Sequence, residues 1–554
     1  MPRLSDLPRL LVLAALVLSP LAAAPARAQA AGASPALLHA GRAYAPGIDV
    51  EAYTFRFTLS DASDTVDGEA TVAVRFTADT VTVLPLDLVS RQTDGRGMTV
   101  ASVLENGAEQ TFTHRGDRLT VQIDRRPHTG DHRTFIVTYS GIPADGLIIG
   151  ANRHGERTFF GDNWPNRARH WLPTVDHPSD KARVEWAVTA PDGYQVVANG
   201  RLAESSEAPG GRLTRYVSDH PLPTKVMVFG AAPFAVEHRG IVAGVPTESW
   251  AYAADHDIGF ADLALGDRVL RVLSERIGPF PYEKLAHVQS TTRYGGMENA
   301  GSIFYDEGAI NGNGTMEGLI AHETAHQWFG DAVSESDWPH IWLSEGFATY
   351  LAHVYNEAVY GRDRMAAGLQ RDRARVAAFA TANPTLPVLD SLTADPNDLL
   401  NANSYQKGSW VLHMLRHQVG DDVFFAGLRA YYTRFRDGNA TTDDLQRTME
   451  EVSGHDLAPF FDQWLRRGGI PVVQAAWRYS GGEVFLDVRQ TGPGAPFRFP
   501  LDVAFVAADG TRQTETIEVT QAEETFTLPA DAAPATVVLD PDTWLLAQIH
   551  MGDG

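Results

Sequence analysis

The sequence predicts a multidomain α+β protein in which an antiparallel β domain is followed by a mainly helical domain and a small β-sandwich. The chain has 554 residues, which corresponds to about three or four domains at roughly 150 residues each. Apolar residues alternate with polar ones up to about residue 236 and recur with helical spacing from about 240 to 470. The alternation returns after residue 470, and these changes of period predict the domain order.

The first 28 residues have the order of a secretory signal peptide. Arg3 and Arg9 precede the apolar run 10–18, and a stretch of small residues ends at Ala28. A membrane anchor is the alternative, but nine apolar residues fall short of the ~20 that cross a bilayer. We therefore expect export, cleavage near Ala28, and a periplasmic or extracellular protein without stable membrane insertion.

Residues 29–238 predict the antiparallel β domain. Val72, Val74 and Phe76 alternate with small or polar neighbours, as strands with one buried face do. Clusters of proline, aspartate and glycine, such as 191–193, separate such runs and predict turns.

Residues 239–470 predict the helical domain, and residues 471–554 predict the β-sandwich. Helical periodicity occupies the runs 267–277, 316–329, 343–360, 362–379, 409–418, 421–435 and 442–452. In the last domain, strand-like runs flank the glycine pair 481–482, and another hairpin is expected at 509–510.

The composition excludes several classes of function. The chain contains no cysteine, so it has no disulfide, no thiolate nucleophile and no thiolate metal ligand. Its formal net charge of -23 repels phosphate backbones, which argues against a nucleic-acid partner and favours solubility.

An HExxH motif begins at His322. Residues four apart share one face of a helix, so His322 and His326 can direct both imidazoles at one metal ion. Glu323 would lie beside that ion, where it can accept a proton from an activated water. Thr315 is placed to cap the helix, and Gly330 to end it. With 19 histidines in the chain, two surface histidines on a helix remain the alternative.

Glu345 is the candidate third ligand. It lies nineteen residues after His326, at the start of another amphipathic run. Two histidines and one carboxylate leave a fourth metal position open, which is typical of catalytic rather than structural zinc. By spacing alone, Glu345 is one helix carboxylate among several.

Several motifs, in order along most of the chain, resemble the aminopeptidase N and leukotriene hydrolase family of gluzincin zinc metallopeptidases. They are ARHWLPTVDHP at 168–178, GGMEN at 295–299, HETAH at 322–326, WLSEGFATY at 342–350, SYQKG at 404–408 and FFDQW at 460–464. The resemblance implies a thermolysin-like catalytic domain. It also implies one Zn²⁺ per chain, held by His322, His326 and Glu345, with Glu323 as the general base.

The resemblance further implies removal of the N-terminal residue from peptides that carry a free N-terminus. Glu298 would bind the substrate α-amino group, and Tyr405 would stabilise the oxyanion together with zinc. The neighbours of Glu298 would hold the peptide backbone as an edge strand; they are Gly295, Gly296, Met297 and Asn299. Without the resemblance, Glu298 would be a solvated residue of a glycine-rich turn and Tyr405 a packing residue. Nothing in the sequence indicates the oligomeric state.

The chain departs from the family pattern at two positions and in its length. An ungapped count places Asp162 where the family has a glutamine that helps to bind the amine. By that count, Asp162 would face the substrate ammonium together with Glu298, and Asn163 is a neighbouring candidate. Ser344 replaces a common asparagine. Only 84 residues follow Ile470, so we expect the long helical domain of larger members to be missing and the cleft to be more open.

Three other functions remain as alternatives. An endopeptidase on the same fold is disfavoured because Glu298 would favour substrates with a free amine over a chain that continues past that position. A bifunctional hydrolase of a lipid epoxide would need an apolar channel. A non-catalytic peptide-binding protein is disfavoured because the ligands, the base and Tyr405 are all present.

Overall fold

The computed structural model describes residues 44–492 and 494–552. The predicted signal peptide, residues 1–28, lies outside them. Within the described residues, no helix combines the length and the apolar character that crossing a membrane requires.

Strands joined by short turns build the first part of the described chain. They are β1 (Ile48–Thr58), β2 (Val66–Phe76), β3 (Val83–Asp87), β4 (Gly97–Glu105), β5 (Ala108–Glu109), β6 (Phe112–Arg115), β7 (Arg118–Gln122), β8 (His132–Ile142), β9 (Leu147–Ala151), β10 (Arg157–Gly161), β11 (Lys181–Ala190), β12 (Gln195–Ala198), β13 (Arg201–Ala208), β14 (Gly211–Val217), β15 (Leu222–Pro223) and β16 (Phe229–Ala232).

The largest sheet of this region runs in the order β13-β14-β11-β1-β2-β8-β4-β5, and smaller sheets run β12-β16-β10-β9 and β3-β7-β6. Val72, Val74 and Phe76 are buried, which confirms the face predicted from their alternation. The pairing of β1 with β11 is parallel, in a region expected to be antiparallel. These strands belong to distant parts of the chain, and local alternation does not report their relative direction.

The central region mixes strands with helices. Its elements are β17 (Phe234–Val242), β18 (Val245–Tyr252), α1 (His256–Leu263), α2 (Gly266–Ile277), β19 (Leu285–Ser290), β20 (Gly296–Met297), β21 (Ser302–Asp306), α3 (Glu317–His326), β22 (Val333–Glu335), α4 (Trp342–Tyr360), α5 (Arg362–Ala382), α6 (Gly408–Val419), α7 (Asp421–Phe435), β23 (Gly438–Ala440), α8 (Thr442–Ser453) and α9 (Ala458–Leu465).

A sheet in the order β17-β18-β19-β21-β20 lies where helices were expected from about residue 240. Every residue of β19 is buried, so this short strand lacks the solvent-exposed face that marks a half-buried strand in a sequence. The predicted domain boundary at 238/239 falls inside β17.

Helix α3 differs in detail from its prediction. It ends at His326 rather than at residue 329, and the N-cap is Met316, which makes no side-chain capping bond. Thr315 does not cap the helix, because its hydroxyl donates to Asn313 Oδ1 at 2.6 Å instead.

Two lysines of the first region, the half-buried Lys181 and the buried Lys225, bind the segment that follows α3. The Nζ of Lys181 donates to the carbonyls of Asp331, Ala332 and Gly438 at 2.9–3.1 Å. The Nζ of Lys225 lies 2.6 Å from Glu335 Oε1, and both side chains are buried. These bonds connect the β region to the segment that follows α3.

The last region is a pair of sheets, as predicted. Its strands are β24 (Val472–Ser480), β25 (Glu483–Gln490), β26 (Phe499–Val506), β27 (Arg512–Val519), β28 (Glu523–Pro529), β29 (Thr536–Leu539) and β30 (Gln548–Met551), in the orders β28-β25-β24-β30 and β27-β26-β29. Trp544 ties this region to α6, because its ring stacks on His413 and His417 with centroids 4.4 and 4.7 Å apart.

Candidate active site

Helices α3 and α4 bring three predicted metal ligands together. The Nε2 atoms of His322 and His326 lie 3.2 Å apart. Glu345 Oε2, from α4, lies 3.4 Å from the first and 3.3 Å from the second. Glu345 and His326 are buried, and the side chain of His322 is 19% exposed. Three donor atoms therefore converge on one point at the edge of a cleft.

This triangle fits a tetrahedral metal ion. Ligand atoms bound 2.0–2.1 Å from zinc at tetrahedral angles lie roughly 3.3–3.4 Å apart, which matches the observed spacing. The electrostatics point the same way. Burial lowers the pKa of His326, but the carboxylates of Glu298 and Glu345 outweigh burial and raise that pKa to about 10. The site thus attracts positive charge, and its donor set is one that zinc accepts.

Ser344 holds the second nitrogen of His326. Its Oγ lies 3.0 Å from His326 Nδ1, and both groups are buried. When Nε2 keeps its lone pair for a metal, Nδ1 carries the proton and donates to this hydroxyl. Ser344 is the departure from the family asparagine, and in this chain it orients the imidazole.

We expect Ser344→Ala to weaken metal binding by about 10–100-fold, because outer hydrogen bonds of this kind orient metal-binding histidines. Competition of the apoprotein with a chromophoric chelator for zinc measures the effect. Ser334→Ala is the matched control, since its buried hydroxyl donates to Asp331 O at 2.7 Å away from the triangle. Equal zinc affinity of Ser344→Ala and Ser334→Ala would contradict this function of Ser344.

Glu323 lies beside the triangle and outside it. Its carboxylate packs against the backbone of Gly296, where a Cβ atom would lie 2.5 Å from Oε1. Glycine at 296 therefore leaves the space that the carboxylate occupies. Burial, with the neighbouring Glu298 and Glu345 adding to it, raises the pKa of Glu323 well above its ordinary value. A carboxylate with a raised pKa is a stronger base.

Glu298 presents an unpaired carboxylate oxygen to the site. It is 5% exposed, and its Oε1 has no hydrogen-bond partner among the described residues. Atoms of Glu298, Glu323 and His326 lie within 4.8 Å of one another. Burial raises the pKa of Glu298. A buried carboxylate without a partner is costly, so this oxygen is suited to receive a cationic group of a ligand.

The residues around Glu298 divide into two groups. Gly296 and Met297 form β20, pair with β21 and line the cleft. Gly295 and Asn299 do not line it, and the side chain of Asn299 is fully buried. The predicted edge strand is therefore short.

Tyr405 reaches the site from a π-helical turn, Asn403–Lys407, ahead of α6. Its ring stacks on His322 with centroids 6.0 Å apart. A close backbone approach brings this turn to α4, since a Cβ on Gly346 would lie 3.1 Å from the carbonyl oxygen of Ser404. Burial and the nearby Glu345 raise the pKa of Tyr405 well above its ordinary value, so the phenol stays a hydrogen-bond donor.

Asp162 differs from the expectation that came from the motif count. It is fully buried but does not line the cleft. Its Oδ1 is paired with Arg167, and its Oδ2 accepts from the backbone of Arg293 at 3.2 Å. The neighbouring Asn163 is also engaged, because its amide donates to Met227 O at 2.6 Å. Arg167 neutralises Asp162, so Glu298 is the carboxylate left for an amine.

We expect Asp162→Asn to alter stability far more than recognition of a free amine. The substitution removes a partner of the mostly buried Arg167, which costs about 2–3 kcal/mol of unfolding free energy. Chemical denaturation measures that loss, and the ratio of activities on free and N-blocked peptides measures recognition. Unchanged stability together with a lost preference for peptides with a free N-terminus would instead mean that Asp162 binds the substrate amine.

Sequence reasoning missed three residues that line the cleft. Trp164 packs edge-on against Tyr294 with centroids 6.2 Å apart, and Leu400 lies near them from the segment before Tyr405. They give the cleft an apolar wall. Trp164 and Tyr294 lie close in sequence to the motifs at 168–178 and 295–299, which is the one signal that could have indicated them. No sequence spacing connects them with Leu400.

Models of one peptidase family match most of the folded chain. Residues 50–225 match the peptidase M1 N-terminal domain, and residues 263–464 match the peptidase family M1 domain. The two matches together cover more than half of the chain.

Curated relatives include aminopeptidases of archaea and plants. A probable aminopeptidase 2 of Sulfurisphaera tokodaii is 25% identical over 60% of this chain and 45% of the relative. A leucyl aminopeptidase of Saccharolobus solfataricus is 24% identical over 71% and 51%. Aminopeptidase M1 of Arabidopsis thaliana is 26% identical over 56% and 37%. The chain spans about half the length of the curated relatives it matches.

Proposed function

The chain belongs to the M1 family, the aminopeptidase N family of gluzincin metallopeptidases, and on that premise we propose that it is a zinc-dependent aminopeptidase. The unpaired Oε1 of Glu298 beside the donor triangle carries the proposal. A carboxylate next to a metal site can pair with the α-ammonium of a peptide and set which bond reaches the metal. Its substrates are then peptides with a free N-terminus.

The donor triangle of His322, His326 and Glu345 would hold the metal. A bound zinc ion supplies Lewis acidity, which polarises a carbonyl and makes water more acidic. The remaining chemistry belongs to side chains of this chain.

Glu298 binds the ammonium group and thereby places the first peptide bond beside the triangle. Glu323 accepts a proton from the attacking water and passes it to the leaving amine. Tyr405 donates a hydrogen bond to the substrate carbonyl oxygen as negative charge develops there. The apolar wall of Trp164, Tyr294 and Leu400 limits the water around these groups.

The same geometry disfavours an endopeptidase. An endopeptidase substrate continues as a peptide chain on the N-terminal side of the scissile bond and has no ammonium there. It would therefore leave Glu298 buried without a positive partner. No described feature favours epoxide hydrolysis over peptide hydrolysis, and the presence of Glu323 and Tyr405 favours an enzyme over a binding protein.

Product analysis tests the proposal. The purified protein is incubated with a short peptide that has a free N-terminus, and mass spectrometry identifies the products over time. We expect successive loss of single N-terminal residues, abolition by a chelator and recovery after zinc is added back. Internal cleavage as the first event, or full activity after chelation, would contradict the proposed function.

We also propose that the protein is exported, on the strength of the order of residues 1–28. Expression in a bacterial host should yield a periplasmic or secreted product whose first residue, read by N-terminal sequencing, is Gln29. An intracellular product that retains residues 1–28 would contradict export.

A further inference from the structure

We infer that Gln327 is a positioning residue that fixes Glu298 relative to the metal-binding histidines. Gln327 directly follows His326 at the end of α3 and is fully buried. Its Oε1 accepts a hydrogen bond from the backbone N–H of Gly301 at 2.7 Å. Its Nε2 donates to the backbone carbonyl of Glu298 at 2.6 Å and to Asp331 Oδ2 at 3.0 Å. One side chain thus ties both ends of the segment 298–301 to the metal helix.

The bonds determine the orientation of the amide. The carbonyl of Glu298 can only accept, and the N–H of Gly301 can only donate, so a flipped amide would face like groups at both ends. Gly301 has φ +68°, a left-handed conformation that turns the segment back toward Gln327. The segment is therefore held in one register against α3.

Glu298 needs this support because its own carboxylate oxygen Oε1 makes no hydrogen bond within the described residues that would hold the side chain in place. The distance from the carboxylate to the donor triangle is instead set through the backbone that Gln327 holds. A displacement of about 1 Å in such a position can reduce catalysis about 10²-fold.

This inference rests on the proposed function. It predicts a weaker preference for substrates with a free α-amino group, rather than an equal loss of activity on all substrates. The probes are an alanyl peptide and its propionyl analogue, in which hydrogen replaces the α-amino group. The measured quantity is the ratio of kcat/KM for the two substrates. Gln327→Met keeps the length of the side chain but removes all three hydrogen bonds.

We expect Gln327→Met to lower this ratio by about tenfold or more, which is the scale of one hydrogen bond to a charged group. The loss should come mainly through a higher KM for the alanyl peptide, with zinc content and activity on the propionyl peptide retained. Gln327→Glu is a second variant of the same shape; its carboxylate keeps the acceptor for Gly301, and neither ionised nor protonated can it donate to both Glu298 O and Asp331. It should change the ratio in the same direction.

Gln289→Met is the matched control. Gln289 is fully buried, accepts from the N–H of Tyr252 at 2.9 Å and donates to Asp255 at 2.7 Å, so these side-chain hydrogen bonds go to residues outside the segment 298–301. It should keep the wild-type ratio. If substitution of a buried glutamine were harmful in itself, this variant would be affected as well.

A double substitution completes the test. In a Glu298→Ala background, Gln327→Met should produce no further change in the ratio, because the carboxylate that it positions is gone. A wild-type ratio in Gln327→Met, or parallel losses on both substrates, would overturn the inference while the aminopeptidase proposal stands. A wild-type enzyme that does not distinguish the two substrates would instead overturn the proposed function.

Discussion

Glu323→Gln should lower kcat by about 10²–10⁴-fold, the usual contribution of a positioned general base. The amide keeps the shape of the side chain against Gly296 but cannot accept and deliver the proton. Glu323 lies outside the donor triangle, so metal content should remain at the wild-type level. Initial rates on a free peptide, together with metal analysis of the same sample, measure both effects.

Glu317→Gln is a suitable control for this substitution. Glu317 lies on the same helix and pairs with Arg268 away from the donor triangle. It should retain most of the activity even if its loss lowers stability. A Glu323→Gln enzyme within tenfold of wild type and fully loaded with metal would show that another group moves the proton.

Tyr405→Phe should lower kcat by about 10²–10³-fold, as the loss of one oxyanion donor does in other hydrolases. KM should change little, because the hydrogen bond strengthens only as charge develops on the carbonyl oxygen. The phenyl ring can keep its stacking on His322, so the site should stay assembled. Steady-state kinetics on one peptide separates kcat from KM.

Tyr350→Phe provides the matched comparison for Tyr405→Phe. Tyr350 is fully buried on α4, and its hydroxyl lies 3.1 Å from His413 Nδ1 rather than in the cleft. Its loss should affect stability and leave kcat nearly unchanged. Equal losses of kcat in the two variants would mean that Tyr405 acts only through the fold.

The convergence of the candidate metal donors could be predicted from sequence because helical geometry constrains two of them. His322 and His326 are four residues apart, and that spacing directs both side chains to one side of α3. Glu345 required the motif around it, since helix packing rather than local spacing brings α4 beside α3. The observed triangle shows what that packing achieves.

Other features depend on contacts between distant segments, and no local pattern contains them. Asp162 was assigned by counting along one motif, but its partner Arg167 determines where the carboxylate lies. The short strand β19 is fully buried and has no solvent-exposed face, so the region around it was expected to be helical. Gln327 has no signature of its own, because its three partners come from the segment 298–301 and from Asp331.

The most direct measurement compares one short peptide with its N-acetylated twin, each before and after metal chelation. Acetylation removes the positive charge that we propose Glu298 to bind, and it leaves the scissile bond itself unchanged. We expect chelator-sensitive release of the first residue from the free peptide only. Equal cleavage of the two peptides would contradict the assignment of Glu298 and favour an endopeptidase, and no cleavage across a broad panel of peptides would favour a binding protein.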